Sequence, residues 1–227
     1  MKPSTPATAH TVDGTLEWLR DRSSSKVLGE MGPRYGIHTV KAFGVPMAQM
    51  KQLAKQIGTD HQLALTLWDT GWYEARTVAA HIDDPALVAP DQMDQWCDSF
   101  DNWAICDTVC FNLFDRTADA WTKVDQWADS PAEYVKRAAF TLLWSLALHD
   151  RTAPDARFID GLSLIEREAH DNRNFVTKSL SMALRAFTHR SPALADAATQ
   201  AAQRLATSAK PARTIGTKLL REQARPH

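Results

Sequence analysis

Apolar residues recur along this chain at steps of three and four, segment after segment. Leu16, Trp18 and Leu19 mark a first helix over residues 11–22. Met47, Met50, Leu53 and Ala54 mark another over 47–57, which Gly58 ends. Asp60 caps a helix carrying Leu63, Ala64, Leu67 and Trp68. Further helices are read at 73–81, stopped by Asp83-Asp84-Pro85, and at 91–100, 103–115 and 121–127. Ser130-Pro131-Ala132-Glu133 has an N-cap Ser, a Pro at the first helical position and Glu at the third. It reads as a capping box opening a helix to about residue 149. Segments at 158–169, 172–187, 192–206 and 210–222 complete the helices. The serines at 23–25 and the stretch 29–44, with Pro33, read as a long connection, and residues 1–10 as a disordered or extended N-terminus.

Strict alternation never lasts, so no strand is expected. The pattern predicts an all-α fold. Helices pair antiparallel, and a pair spans roughly 35–45 residues, the period of HEAT-type repeats. The expected architecture is a single α-solenoid domain over residues 11–227, in which one set of helices lines a concave face suited to a long ligand. Identity between pairs is weak, and an irregular helical bundle fits the same period.

Composition narrows the class. The chain has 227 residues, 44% hydrophobic and 23% charged, which suits a soluble globular protein. No apolar run approaches the ~18–20 residues that span a bilayer, and the polar start lacks a signal-peptide pattern. Cys97, Cys106 and Cys110 sit in apolar helical contexts and read as buried free thiols of a reducing, cytoplasmic compartment. Cys106 and Cys110 stand one helical turn apart, but no second pair follows at a zinc-finger interval, so neither a metal nor a cofactor is expected. The chain is expected to act as a monomer away from membranes. Its net charge of −1 conceals an asymmetry. Residues 171–227 carry ten Lys/Arg against three Asp/Glu, or +7, which leaves −8 for residues 1–170. Such imbalance points to a polyanionic partner for the C-terminal part.

The stretch 100–107, Phe-Asp-Asn-Trp-Ala-Ile-Cys-Asp, carries the candidate chemistry. Asp101 or Asn102 can cap a helix there. Trp103 and Asp107 are four apart, hence on one face, beside an apolar stripe of Cys106, Val109, Cys110 and Leu113. A half-sheltered ring with a carboxylate one turn later suits a cation or developing positive charge. On residue types alone, a half-buried Trp beside a surface Asp is the plainer reading.

Several segments together resemble the HEAT-repeat DNA alkylation repair proteins, the AlkD-like alkylpurine DNA glycosylases. They are Tyr35-Gly36-Ile37 to Val45-Pro46, Tyr73-Glu74-Ala75-Arg76 to Pro85, and Phe100 to Asp107. Two more are Val135 to Phe140 and Asp171 to Lys178, running on to Arg185. The resemblance implies an all-α solenoid holding duplex DNA. It also implies hydrolysis of the N-glycosidic bond of cationic alkylated purines such as N3-methyladenine and N7-methylguanine. Matched by motif, the catalytic residues are Trp103, Asp107 and Arg137. Family members usually place a second Trp where Lys178-Ser179-Leu180-Ser181-Met182-Ala183-Leu184-Arg185 has Met182.

The chemistry is coherent. An alkylated purine is already cationic and leaves without protonation, while the deoxyribose becomes oxocarbenium-like. Asp107 stabilises that charge and orients water, Trp103 offers a π face, and Arg137 forks onto a phosphate. Arg173, Lys178, Met182 and Arg185 are the DNA-binding candidates. A solvated stripe is an equal reading for Lys178 and Arg185, while the plainer reading is an i−4 pair with Glu133 for Arg137 and packing for Trp68, Trp72, Trp96, Trp121, Trp127 and Trp144. A helical scaffold that binds DNA or protein without excision is the alternative function.

Overall fold

A computed structural model describes residues 11–225, so the expected disordered or extended N-terminus over 1–10 lies outside the described residues. Among the described residues there are thirteen α-helices and no strand. The chain divides into two compact units, the first through Thr117 and the second from Ala118. No described helix is long and apolar enough to cross a membrane.

The first unit holds α1 (Val12–Arg20), α2 (Ser25–Tyr35), α3 (Met47–Ile57), α4 (His61–Asp69), α5 (Tyr73–Ile82), α6 (Pro90–Asp98) and α7 (Trp103–Asn112). A 3-10 turn, Phe114–Arg116, ends it, where the sequence pattern had suggested continuous helix to 115. The second unit holds α8 (Ala120–Trp127), α9 (Glu133–His149), α10 (Asp155–Glu168), α11 (Asn174–Phe187), α12 (Pro192–Thr207) and α13 (Ala212–Gln223).

Short polar side chains start many of these helices. Thr11, Ser24, Asp60, Asn102 and Ser191 each accept a first-turn N–H. α5 is buried on almost every side, as a helix packed against α3, α4 and α7 must be. α9 plays the same part in the second unit, against α8 and α11. Trp68 and Trp96 stack with ring centroids 3.9 Å apart and are buried, in line with a packing role. Cys97, Cys106 and Cys110 are buried.

Two local readings need correction. Ser25 and the stretch 29–35 with Pro33, read as parts of a long connection, belong to α2. Ser24 caps its start through the Val27 N–H, and Gly36, at φ 63°, closes its end. Pro33 lies in the last turn, where its missing N–H removes a single helical bond. The second correction concerns Ser130. The helix begins only at Glu133, with Ala132 as an N-cap that makes no side-chain bond. Ser130 Oγ instead accepts from the Ala132 N–H, and the Pro131 carbonyl accepts Arg173 Nη1–H at 2.6 Å. A tertiary partner holds this entry segment, not its own cap.

Candidate active site

α7 is positioned from its first residue. Asn102 Oδ1 accepts from the Ala104 and Ile105 N–H groups, both at 3.0 Å. Its amide donates to Asp101, whose other oxygen accepts the Thr39 hydroxyl at 2.8 Å. Trp103 Nε1–H donates to the Tyr35 carbonyl at 2.9 Å, tying the start of α7 to the end of α2. Trp103 and Asp107 are half-buried, while Ala104, Ile105, Cys106, Thr108, Val109 and Cys110 are buried.

These two residues line one cavity of about 440 Å³ within the first unit. α2 supplies Glu30, Met31 and Tyr35, α3 supplies Met47 and Met50, and α5 supplies Tyr73. Val45 and Pro46 close it from the preceding loop. Among the described residues the only charged ones in the lining are Glu30 and Asp107, both acidic, and Glu30 pairs with Arg34 at 3.2 Å one turn along α2. Burial, helped by neighbouring Glu74, pushes the Tyr73 phenol up to about 12, so it stays a neutral hydroxyl. Aromatic faces, polarisable sulfurs and a carboxylate in a sheltered space complement a flat cation. A charge there acts through less water than one on an open surface.

The loop wall is held by Glu74, a fully buried carboxylate on α5. It accepts the backbone N–H groups of Phe43 at 3.0 and 3.1 Å, Gly44 at 2.7 Å and Val45 at 3.2 Å. Gly44 has φ 78°, and a Cβ there would meet the Ser24 carbonyl oxygen at 2.4 Å, so only glycine fits. Phe43 stacks on Trp72 with ring centroids 3.9 Å apart.

The remaining sequence candidates lie in the second unit, each in a definite setting. Arg137 is 5% exposed and donates from Nη1 to the Phe175 carbonyl at 2.7 Å, its guanidinium 5.9 Å from the Phe175 ring centre. Lys178 is exposed, with Nζ 5.6 Å from the same ring. Met182 is half-buried, and its sulfur accepts from Arg185 Nη1 at 3.7 Å. Arg185 forks onto Glu222 at 2.7 and 2.5 Å. Arg173 forks onto Asp171 and also holds the Pro131 carbonyl. Bonding to Arg173 holds the Asp171 carboxyl at about 2. Phe175, Lys178, Met182 and Arg185 do share the unburied face of α11, but both arginines are committed to carboxylates.

Sequence reasoning assigned no role to Tyr35, Tyr73 or Glu74, although all three sit in the segments that carried the resemblance. A carboxylate directly after the first aromatic residue of a helix that proves buried all round was the available signal.

Comparison with known proteins adds the following. A family model described as DNA alkylation repair enzyme matches residues 16–214. No curated protein matches the chain. One similar solved structure comes from work described as "A new family of proteins related to the HEAT-like repeat DNA glycosylases with affinity for branched DNA structures". It is 20% identical, with 93% of this chain and 95% of that chain covered and a TM-score of 0.77. At that identity the likeness is one of fold, and the fold is all-α with HEAT-like helix pairs.

Proposed function

The chain belongs to the DNA alkylation repair enzyme family, and on that premise we propose that it hydrolyses the N-glycosidic bond of cationic alkylated purines in duplex DNA. The observation that carries the reading is the cavity shared by Trp103 and Asp107, lined by aromatic and methionine side chains and, among the described residues, by no basic one. Bond cleavage expels a neutral base and leaves positive charge on the sugar. In this reading Asp107 faces that charge and orients the attacking water, and Trp103 lends its π face. The protein acts as a monomer, in the cytoplasm, with no cofactor.

The test is release of labelled N7-methylguanine from duplex DNA by excess protein. Measurable release above the spontaneous rate is expected. A specific observation favours the second reading, binding without excision: Met182 stands at the position where the family usually has an aromatic residue. No release, with affinity for branched over linear DNA, decides for it.

Met182 also yields a graded prediction. A Trp there would add a π surface worth roughly 0.5–2 kcal/mol to a nearby cation, which Met lacks despite its polarisable sulfur. Met182→Trp is therefore expected to raise single-turnover excision a few-fold to about tenfold, the latter equal to roughly 1.4 kcal/mol. Affinity for undamaged duplex should stay level. A flat excision rate in a folded variant means residue 182 does not face the reacting nucleotide.

A further inference from the structure

The positive excess of the C-terminal part collects on one helix. α13 turns Ile215, Gly216 and Leu219 inward, and it packs against α12. The approach is backbone to backbone. A Cβ on Gly216 would lie 2.3 Å from the Ala202 carbonyl oxygen and 2.6 Å from the Ala206 nitrogen. The helix is therefore seated firmly, and its other face is presented as a fixed surface.

That face carries Arg213, Lys218 and Arg221, and with Lys210 just before the helix and Arg225 just after it they line a groove of about 600 Å³. All five are exposed. Thr214 and Thr217 stand between them and add hydroxyl donors. Among the described residues the one acid in the groove, Glu222, is occupied by the fork from Arg185. Among the described residues no carboxylate pairs with any of the five cations; Arg213 gives one N–H to the Ser208 carbonyl. Arg173 and Arg185, by contrast, are neutralised by Asp171 and Glu222.

We propose that this face of α13 binds consecutive backbone phosphates of duplex DNA. The proposal rests on the reading that the partner is DNA, but not on excision. The dimensions suit it. The 12 residues of α13 span about 18 Å at ~1.5 Å per residue. Phosphates of one strand advance about 3.4 Å each along the duplex axis, so about five fall within that length. Guanidinium groups fork onto phosphate oxygens, and hydroxyls add neutral donors. None of the exposed large apolar residues lies between 207 and 225, so the face offers nothing to insert into a bilayer.

The experiment measures affinity for an undamaged 20-base-pair duplex across a salt series. Simultaneous Lys218→Gln, Arg221→Gln and Arg225→Gln should lower the magnitude of the slope of log K against log salt by about 2.7, at ~0.9 per lost contact. Removing three exposed cations elsewhere, with Lys26→Gln, Lys51→Gln and Lys55→Gln, should change it by less than one. Thr214→Glu, which adds one negative charge to the groove, should weaken binding at low salt in the same direction. An unchanged slope in the α13 triple variant overturns the site. So does an equal loss in both triple variants, which would be a general effect of net charge. Tighter binding of the natural protein to anionic lipid vesicles than to the duplex overturns it in favour of a membrane surface. Loss of excision with the α13 contribution intact would remove the glycosylase reading and leave this one standing.

Discussion

Asp107→Asn is expected to cut single-turnover excision of N7-methylguanine by about 10²–10³, or roughly 2.7–4 kcal/mol of transition-state stabilisation. Asn keeps the shape and one acceptor oxygen, so α7 and its cap should be undisturbed. What disappears is the negative charge. Among the described residues the lining holds no other carboxylate free to take over from it, since Glu30 pairs with Arg34. The sugar's developing charge would then face aromatic rings and sulfurs alone, which supply smaller attractions of roughly 0.5–2 kcal/mol. Binding of undamaged duplex should be unchanged or slightly tighter, because removing a negative charge lessens repulsion of a polyanion. Circular dichroism and a urea transition matching the natural protein would establish that folding is intact. Undiminished excision under those conditions would remove the carboxylate from the chemistry.

The second large effect is on stability. Glu74→Ala should destabilise the first unit by about 3–5 kcal/mol. Three consecutive buried N–H groups, at Phe43, Gly44 and Val45, would lose their acceptor. An unpaired buried donor costs about 1–3 kcal/mol, and partial opening of the loop to water recovers some of that total. Glu74→Gln keeps the volume and one acceptor but turns an amide N–H₂ toward donors, so it should cost less than the Ala change. Urea unfolding followed by tryptophan fluorescence is the measurement. A loss below about 1 kcal/mol for Glu74→Ala would mean that the loop does not depend on this carboxylate. The same change should lower excision even where the protein stays folded, because Val45 and Pro46 form a wall of the Asp107 cavity.

Arg137 shows how far a motif match reaches. The family pattern singles out the residue, yet its surroundings are a buried carbonyl bond and the Phe175 ring, neither of which follows from spacing within α9. Lys178 and Met182 were legible as members of one helix face, since that depends only on steps of three and four. Whether a charge on that face remains available to a ligand depends on the helix packed beside it. α13 brings Glu222 to Arg185, 37 residues away. The fork of Arg173 onto Asp171 is short in sequence, but its bond to Pro131 crosses 42 residues.

The sequence by itself determined the all-α class, most helix limits to within a few residues, and the placing of Trp103 and Asp107 on one face behind a polar cap. These follow from the 3.6-residue repeat and from hydrogen bonds closed within a turn, which need no distant partner. Only the tertiary structure decided that Gly29, Gly32 and Pro33 belong to a helix, and that this helix forms a cavity wall. It alone joined Glu74 to a loop 29–31 residues earlier, and it committed Arg173 and Arg185 to carboxylates while leaving the cations of α13 facing outward. The reason is physical: a helix propensity of a few tenths of a kcal/mol per residue is outweighed by burial of an apolar face, and which polar groups meet is settled by how those faces pack.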